Sequence, residues 1–140
     1  MLILEKIEIE LTSVCNLKCQ ECSHESPIIP PRAYPLDILE RNLDILSGIV
    51  QPSIIKLVGG EPLTYPHLPQ AIDLVHDRFI ESEIVLATNG ILIEEKYIDC
   101  LYRVDRIVIT DYNDGTTVER IKQIGLPSRV TTWFKYGHYF

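Results

Sequence analysis

Three cysteines lie close together near the start of the chain. Cys15, Cys19 and Cys22 form a CxxxCxxC pattern. Three thiolates in one loop can hold three corners of a [4Fe–4S] cluster and leave the fourth iron without a ligand from the protein. An iron atom with an open position is a place for a substrate or cofactor to bind. The spacing therefore predicts an iron–sulfur site with one exchangeable corner.

A structural zinc site is the main alternative for the same loop. Zinc in such sites takes four ligands, so His24, Cys100 or a water molecule would have to complete the set. Cys100 falls on an apolar helical face beside Ile98 and Leu101, which instead predicts a small buried side chain. His24 could also hydrogen-bond a cluster sulfide or a substrate.

Two short peptides could bind a ligand at the ends of predicted strands. The first is Gly59–Pro62 (GGEP), and the second is Thr88–Gly90 (TNG). Adjacent glycines let a backbone approach a ligand closely, and the Glu61 carboxylate can accept hydrogen bonds from an ammonium group. Each peptide alone is also an ordinary turn. Their value as a signal depends on where the neighbouring elements place them.

The segments between these peptides alternate in apolar period between two and about 3.6 residues, which predicts successive β–α units. A chain of 140 residues holds about four to five such units, too few to close a barrel. We therefore expect an α/β fold: an open partial barrel with a curved parallel sheet and helices on its convex face. The cysteine loop, GGEP, TNG and Asp111 all follow strands, and chemistry in such folds lies beyond the strands' carboxyl ends. The predicted strands are 6–11, 54–58, 84–87, 106–110 and 129–133. The predicted helices start near Leu36, Leu68, Tyr97 and Thr116. The last helix is predicted to begin with a Thr116–Glu119 capping box and to end at Gly125 and Pro127.

The composition excludes several classes of function. The chain has 13 basic and 20 acidic residues and a formal net charge of −7, the wrong sign for nucleic-acid binding through phosphates. Its apolar runs are far shorter than the ~20 residues of a membrane span, and no signal peptide is apparent, so we expect a cytoplasmic protein that does not enter a membrane. The length predicts one domain over 1–140, in which 129–140 forms either an interface or a frayed tail.

The order of these motifs resembles the radical S-adenosylmethionine (SAM) superfamily, whose signature is CxxxCxxC after the first strand and GGE(P) after the second. The resemblance covers about residues 6–111. It implies an enzyme in which a reduced [4Fe–4S] cluster cleaves SAM, and the resulting 5′-deoxyadenosyl radical abstracts a hydrogen atom from a small molecule or peptide. It also implies a one-electron donor such as flavodoxin or ferredoxin.

The resemblance assigns a role to each matching position. Cys15, Cys19 and Cys22 would hold the cluster, whose open iron would bind the amino and carboxylate groups of SAM. The resemblance also implies that Gly59, Gly60 and Glu61 receive the amino group and that Pro62 stiffens their turn. It implies that Thr88, Asn89 and Asp111 line the methionine or ribose part of SAM. Glu8 and Glu10 on the first strand either face this cavity or form a solvent-facing edge.

Two departures from the family pattern bear on function. Glu21 stands before the third cysteine, where most members have an aromatic residue near the adenine. The chain is also shorter than the usual core of six units, so it is either a minimal or an incomplete version. A second subunit or a partner protein could cover the open side. The alternative function is a catalytically silent iron–sulfur or zinc-binding module with the same fold.

Overall fold

A computed structural model describes residues 1–19, 22, 24–126 and 130–134 of the chain. Within these ranges five strands form one sheet, in which strands adjacent in sequence are neighbours and every pair is parallel. The sheet does not close, because the first and last strands are its edges. The predicted open α/β partial barrel is therefore confirmed. The strands are β1 (Leu2–Glu10), β2 (Val50–Val58), β3 (Glu83–Thr88), β4 (Arg106–Asp111) and β5 (Val130–Phe134).

Helices connect the strands and cover one face of the sheet. They are α1 (Leu36–Ser47), α2 (Leu68–Arg78), α3 (Ile98–Leu101) and α4 (Thr116–Lys122), with 3₁₀ turns at Pro62–Thr64 and Glu95–Tyr97. Alternate strand residues point into the resulting core, where Leu57, Leu86 and Ile109 are fully buried. The opposite face carries polar side chains, among them Glu8, Glu10 and Lys56, together with apolar ones such as Val58 and Ala87. None of the helices in the described ranges has the length and hydropathy of a membrane span.

β2 is four residues longer at its start than predicted, because Pro52 is tolerated there. Proline lacks the N–H that a central strand needs, which argues against a strand at this position. β2 pairs with β3 only from Ile54 onwards, so Pro52 lies beside β1 and beyond the paired part of β3. The Pro52 carbonyl instead accepts a hydrogen bond from the Ser82 hydroxyl at 2.6 Å.

The predicted capping box at α4 is wrong. Gly115 occupies the N-cap position with a φ of 86°, and Thr116 is already the first helical residue. A carboxylate from the preceding strand replaces the missing side-chain cap, since Asp111 Oδ2 accepts a hydrogen bond from the Val118 N–H at 2.9 Å. Of the two residues expected to end this helix, Pro127 lies outside the described residues, as does most of 129–140.

Candidate functional site

A cavity of about 210 Å³ opens at the carboxyl ends of β2, β3 and β4. The three clustered cysteines come to it from the loop after β1. The structure thus brings together segments that are distant in the sequence. The predicted site residues that line the cavity are Cys15, Cys19, Cys22, Gly59, Gly60, Glu61, Thr88 and Asn89.

The cysteine loop is closed at its base by protein–protein hydrogen bonds. Thr12 and Ala33 form an isolated antiparallel bridge. The Ser13 N–H donates to the Arg32 carbonyl at 2.8 Å, and the Arg32 N–H donates back to the Ser13 hydroxyl at 2.7 Å. The Tyr34 N–H donates to the Leu11 carbonyl at 2.9 Å. These bonds fix both ends of the loop beside the end of β1.

The two glycines of the GGEP peptide are required by the cysteine loop. The Gly60 N–H donates to the Thr12 carbonyl at 2.8 Å, and the Glu61 N–H donates to the Val14 carbonyl at 2.7 Å. A Cβ atom on Gly59 would lie 2.6 Å from the Thr12 oxygen, and one on Gly60 would lie 2.3 Å from the Val14 oxygen. The backbone that approaches these glycines so closely is therefore that of the loop.

Glu61 joins the ends of β2 and β3. Its side chain is 1% exposed. Oε1 accepts hydrogen bonds from the Thr88 hydroxyl at 2.6 Å and the Leu63 N–H at 3.1 Å, and Oε2 accepts one from the Asn89 N–H at 2.8 Å. Burial raises the pKa of the Glu61 carboxyl, while these donors act in the opposite direction. The carboxylate thus holds the turn after β3 against the GGEP peptide.

Asn89 extends the same network to the cysteine loop. Its side-chain amide Nδ2 donates to Asn16 Oδ1 at 2.8 Å, and its Oδ1 accepts from the Ile91 N–H at 3.0 Å. Asn16 directly follows Cys15, so this contact fixes the backbone next to a cysteine. Sequence analysis did not identify Asn16, which carries no motif of its own.

Asp111 and Pro62 are placed beside the cavity, and neither lines it. Asp111 is fully buried, and its Oδ1 accepts a hydrogen bond from the Asn113 N–H at 2.7 Å. Together with the Oδ2 contact to α4, this bond fixes the turn after β4. Pro62 is buried at the start of a 3₁₀ turn. The residues on either side of Asp111 do line the cavity: Thr110 within β4 and Tyr112 directly after it.

The three thiols differ from Cys100 in their surroundings. Burial raises the pKa of Cys15, and the nearby charges of Glu61, Cys19 and Cys22 act in the same direction. The Leu17 N–H donates to Cys15 Sγ at 3.4 Å. Cys100 lies away from the cavity on α3 and is 4% exposed, so the expected buried side chain is observed.

The cysteine, histidine and acidic side chains of the site are spread around the cavity. Among the described residues, no three Cys, His, Asp or Glu side chains meet closely enough to hold a single metal ion. Cysteine ligands of a cluster bind at its separate corners and need not converge on one point.

Polar side chains of β1 and β2 continue the cavity face of the sheet. Lys56 lines the cavity, and its Nζ lies 3.7 Å from Glu8 Oε1. His24 also lines it, with Nδ1 3.9 Å from Glu10 Oε2. Glu8 and Glu10 therefore lie on the face opposite the helices, although both side chains are more than two-fifths exposed.

Lys56 and Tyr112 are cavity residues that sequence analysis missed. Lys56 lies three residues before Gly59, the first residue of the GGEP peptide, and the alternation of side chains along a strand could have placed it on the same face as Val58. Tyr112 directly follows β4 and Asp111, so its place after a parallel strand was the available signal. Burial, and after it the neighbouring cysteines with Cys19 first, raises the pKa of Tyr112 to about 12.

Two curated relatives match about two thirds of the chain in sequence. In sequence, the chain is 28% identical over 95 residues to the GTP 3′,8-cyclase of Chlorobaculum tepidum, covering 66% of this chain and 28% of that protein. It is 30% identical over 95 residues to the GTP 3′,8-cyclase of Helicobacter pylori, covering 66% of this chain and 30% of that protein. The chain thus spans about three-tenths of the length of these curated relatives.

Solved structures and a family model complete the comparison. BtrN in complex with AdoMet and 2-DOIA superposes with a TM-score of 0.71 at 19% identity, over 94% of this chain and 56% of that one. Streptococcus suis SuiB bound to S-adenosylmethionine superposes with a TM-score of 0.70 at 18% identity, over 96% of this chain and 35% of that one. These two likenesses show a shared fold. The model of the radical SAM superfamily matches residues 9–110, most of the chain. The chain therefore belongs to the radical SAM superfamily.

Proposed function

We propose that this chain is a radical SAM enzyme in which Cys15, Cys19 and Cys22 hold a [4Fe–4S] cluster. The observation that carries the proposal is that all three thiols line one cavity together with the ends of β2 and β3. Thiolates are the ligands that iron–sulfur clusters take, and three of them leave one iron available to SAM. The residues present therefore fit the group that the superfamily uses.

When bound, the reduced cluster supplies the electron that splits SAM into methionine and a 5′-deoxyadenosyl radical able to abstract a hydrogen atom. The chain's own residues bind and orient SAM. The backbone of Gly59–Glu61 lines the cavity and would receive the amino group of SAM. The Glu61 carboxylate already accepts three hydrogen bonds from the protein, so we assign it the role of holding that backbone in place.

Thr88 and Asn89 contribute to the same scaffold. The Thr88 hydroxyl donates to Glu61 and accepts from the Gly90 N–H at 3.0 Å. Both residues line the cavity, and we assign them to the methionine end of SAM. Asp111 would act on the ribose side indirectly, because its carboxylate fixes the turn that carries Tyr112.

The cavity wall suits a polar substrate. Lys56, His24 and Thr110 line it next to the cysteine loop. A charged ammonium and an imidazole in a concave site bind polar or anionic groups better than hydrocarbon. We propose a polar small molecule or peptide as the substrate, a flavodoxin or ferredoxin as the electron donor, and a second subunit or partner at the open side of the sheet.

Anaerobic reconstitution with iron and sulfide tests the proposal. The loaded protein, given dithionite and SAM, should release 5′-deoxyadenosine. Cys19→Ala should abolish both the product and the full complement of iron, because a cluster corner loses its ligand. Cys100→Ala is the matched control, since it also removes one thiol but from a buried site on α3. It should keep iron binding and product formation.

Three results would contradict the proposal. A brown protein that releases no 5′-deoxyadenosine would indicate a silent iron–sulfur module. A colourless protein that binds one zinc ion per chain would indicate a structural zinc loop. Equal iron binding by Cys19→Ala and Cys100→Ala would show that the clustered thiols are not the ligands.

A further inference from the structure

Tyr112 occupies a distinctive place at the end of β4. It is half-buried and lines the same cavity as the three clustered cysteines. Its hydroxyl is hydrogen-bonded to the side chain of Cys19. A phenol carries one O–H donor, whereas a thiolate sulfur that holds a cluster has no proton to give, so in this pair the Tyr112 O–H donates and the Cys19 sulfur accepts.

The position of Tyr112 is fixed by its neighbour in the chain. Asp111 is fully buried, and its two carboxylate oxygens accept hydrogen bonds from the Asn113 N–H at 2.7 Å and the Val118 N–H at 2.9 Å. These bonds tie the residues on both sides of Tyr112 to the end of β4 and to α4. The Tyr112 phenol therefore reaches Cys19 from a turn that the Asp111 carboxylate holds in place.

A hydrogen bond to a ligand sulfur changes how readily a cluster is reduced. Reduction adds negative charge to the cluster and its thiolates, so a donor stabilises the reduced form more than the oxidised form. Removing the donor should make the reduction potential more negative. Cys15 Sγ already accepts a hydrogen bond from the Leu17 N–H, which side-chain substitution leaves in place. The Tyr112 donor, by contrast, can be removed alone.

We propose that Tyr112 is a positioning residue that acts through Cys19, donating an O–H···S hydrogen bond that raises the reduction potential of the bound cluster. This inference rests on the proposed function, because it requires a cluster held by the three clustered cysteines. It assigns a role to a residue outside the sequence motifs, and it concerns electron uptake from the external one-electron donor.

The test is an EPR-monitored redox titration of the anaerobically reconstituted protein without SAM. Tyr112→Phe keeps the ring and removes the hydroxyl. We expect the equilibrium constant for one-electron reduction to fall between about threefold and tenfold, and a tenfold change corresponds to about 59 mV for such a couple. Tyr102→Phe is the matched control: Tyr102 is 58% exposed and its hydroxyl donates to the Gly125 carbonyl at 3.3 Å, away from the cavity. It should leave the potential unchanged.

A second variant covers the case in which Tyr112→Phe fails to fold or to load. Incorporation of 3-fluorotyrosine at position 112 keeps the ring and makes the phenol a stronger donor. The potential should then move in the opposite direction, to a less negative value. If the ring had only a structural role, the two variants would not shift the reduction potential in opposite directions.

The outcomes separate this inference from the proposed function. A wild-type protein that loads a cluster, with Tyr112→Phe or the fluorinated variant at the wild-type potential, overturns the inference and leaves the proposed function standing. A wild-type protein that forms no cluster overturns both. Opposite shifts in the two variants, with Tyr102→Phe unchanged, support the hydrogen bond.

Discussion

Replacement of Gly60 by alanine should disrupt the cysteine loop and the fold together. The new Cβ would lie 2.3 Å from the Val14 oxygen and 2.6 Å from the Ser13 oxygen, whereas ordinary contact begins at 3.4 Å. The loop backbone would have to move by about 1 Å, the difference between 3.4 and 2.3 Å. The nearest atoms all belong to the loop backbone, so no side chain can rotate away to relieve the clash.

The expected loss of stability follows from the contacts that such a shift breaks. The Gly60–Thr12 and Glu61–Val14 hydrogen bonds would both lengthen, at a cost of about 0.5 to 1.5 kcal/mol each. Overpacking strain adds about 1 to 3 kcal/mol. Gly60→Ala should therefore lower the free energy of unfolding by about 2 to 6 kcal/mol, a large part of the total of a typical domain.

Urea unfolding followed by far-UV circular dichroism measures this loss, and iron content after reconstitution reports on the loop. Gly48→Ala is the control, because Gly48 has a helical φ of −80° and the nearest atom to its Cβ would be 3.5 Å away. It should leave stability unchanged or raise it by up to about 1 kcal/mol. If Gly60→Ala unfolds at the wild-type urea concentration and binds the wild-type amount of iron, the predicted clash with the loop does not exist.

Three further changes test other parts of the structure. Asn89→Ala removes the amide that contacts Asn16, so it should cost about 1 to 3 kcal/mol and speed hydrogen exchange at residues 15–19; unchanged exchange there would contradict the contact. The pKa of Glu61 is raised in the folded state, so above pH 4.5 the folded protein binds more protons than the unfolded one. The free energy of unfolding should therefore fall as the pH rises above that value, and it should fall less steeply in Glu61→Gln. Parallel pH profiles for the two proteins would refute this. Arg78→Ala removes ion pairs from α2 to two acidic residues of α1, of which Asp44 is the nearer at 2.5 Å. The free energy of unfolding should fall by about 0.5 to 1 kcal/mol at low salt and by less in 1 M NaCl. A loss of stability that does not depend on salt would show that packing of the arginine stem dominates.

The strands and helices could largely be predicted, because apolar periodicity is a local property of the chain. β3, β4 and β5 begin within one residue of their predicted starts. The first four residues of β2 were missed because Pro52 argues against a central strand, and only the short pairing with β3 makes it acceptable. The start of α4 at Thr116 was predicted, but its cap was not, since the cap comes from Asp111 on the preceding strand.

The sequence predicted which residues form the site better than it predicted the contacts among them. The clustered cysteines and the GGEP and TNG peptides do meet at one cavity. Glycine at position 60 suggested close approach of a ligand, whereas the atom nearest to its Cβ position is the Val14 carbonyl oxygen of the cysteine loop. Such a contact joins segments far apart in the chain, and no local pattern records it.

The closed base of the cysteine loop has a consequence for the order of assembly. The Thr12–Ala33 bridge and the paired hydrogen bonds between Ser13 and Arg32 involve protein atoms alone. We therefore expect the polypeptide to reach its native topology while still metal-free, in contrast to small zinc fingers, which are unfolded until the ion binds. Iron delivery would then be a late maturation step on a prefolded chain.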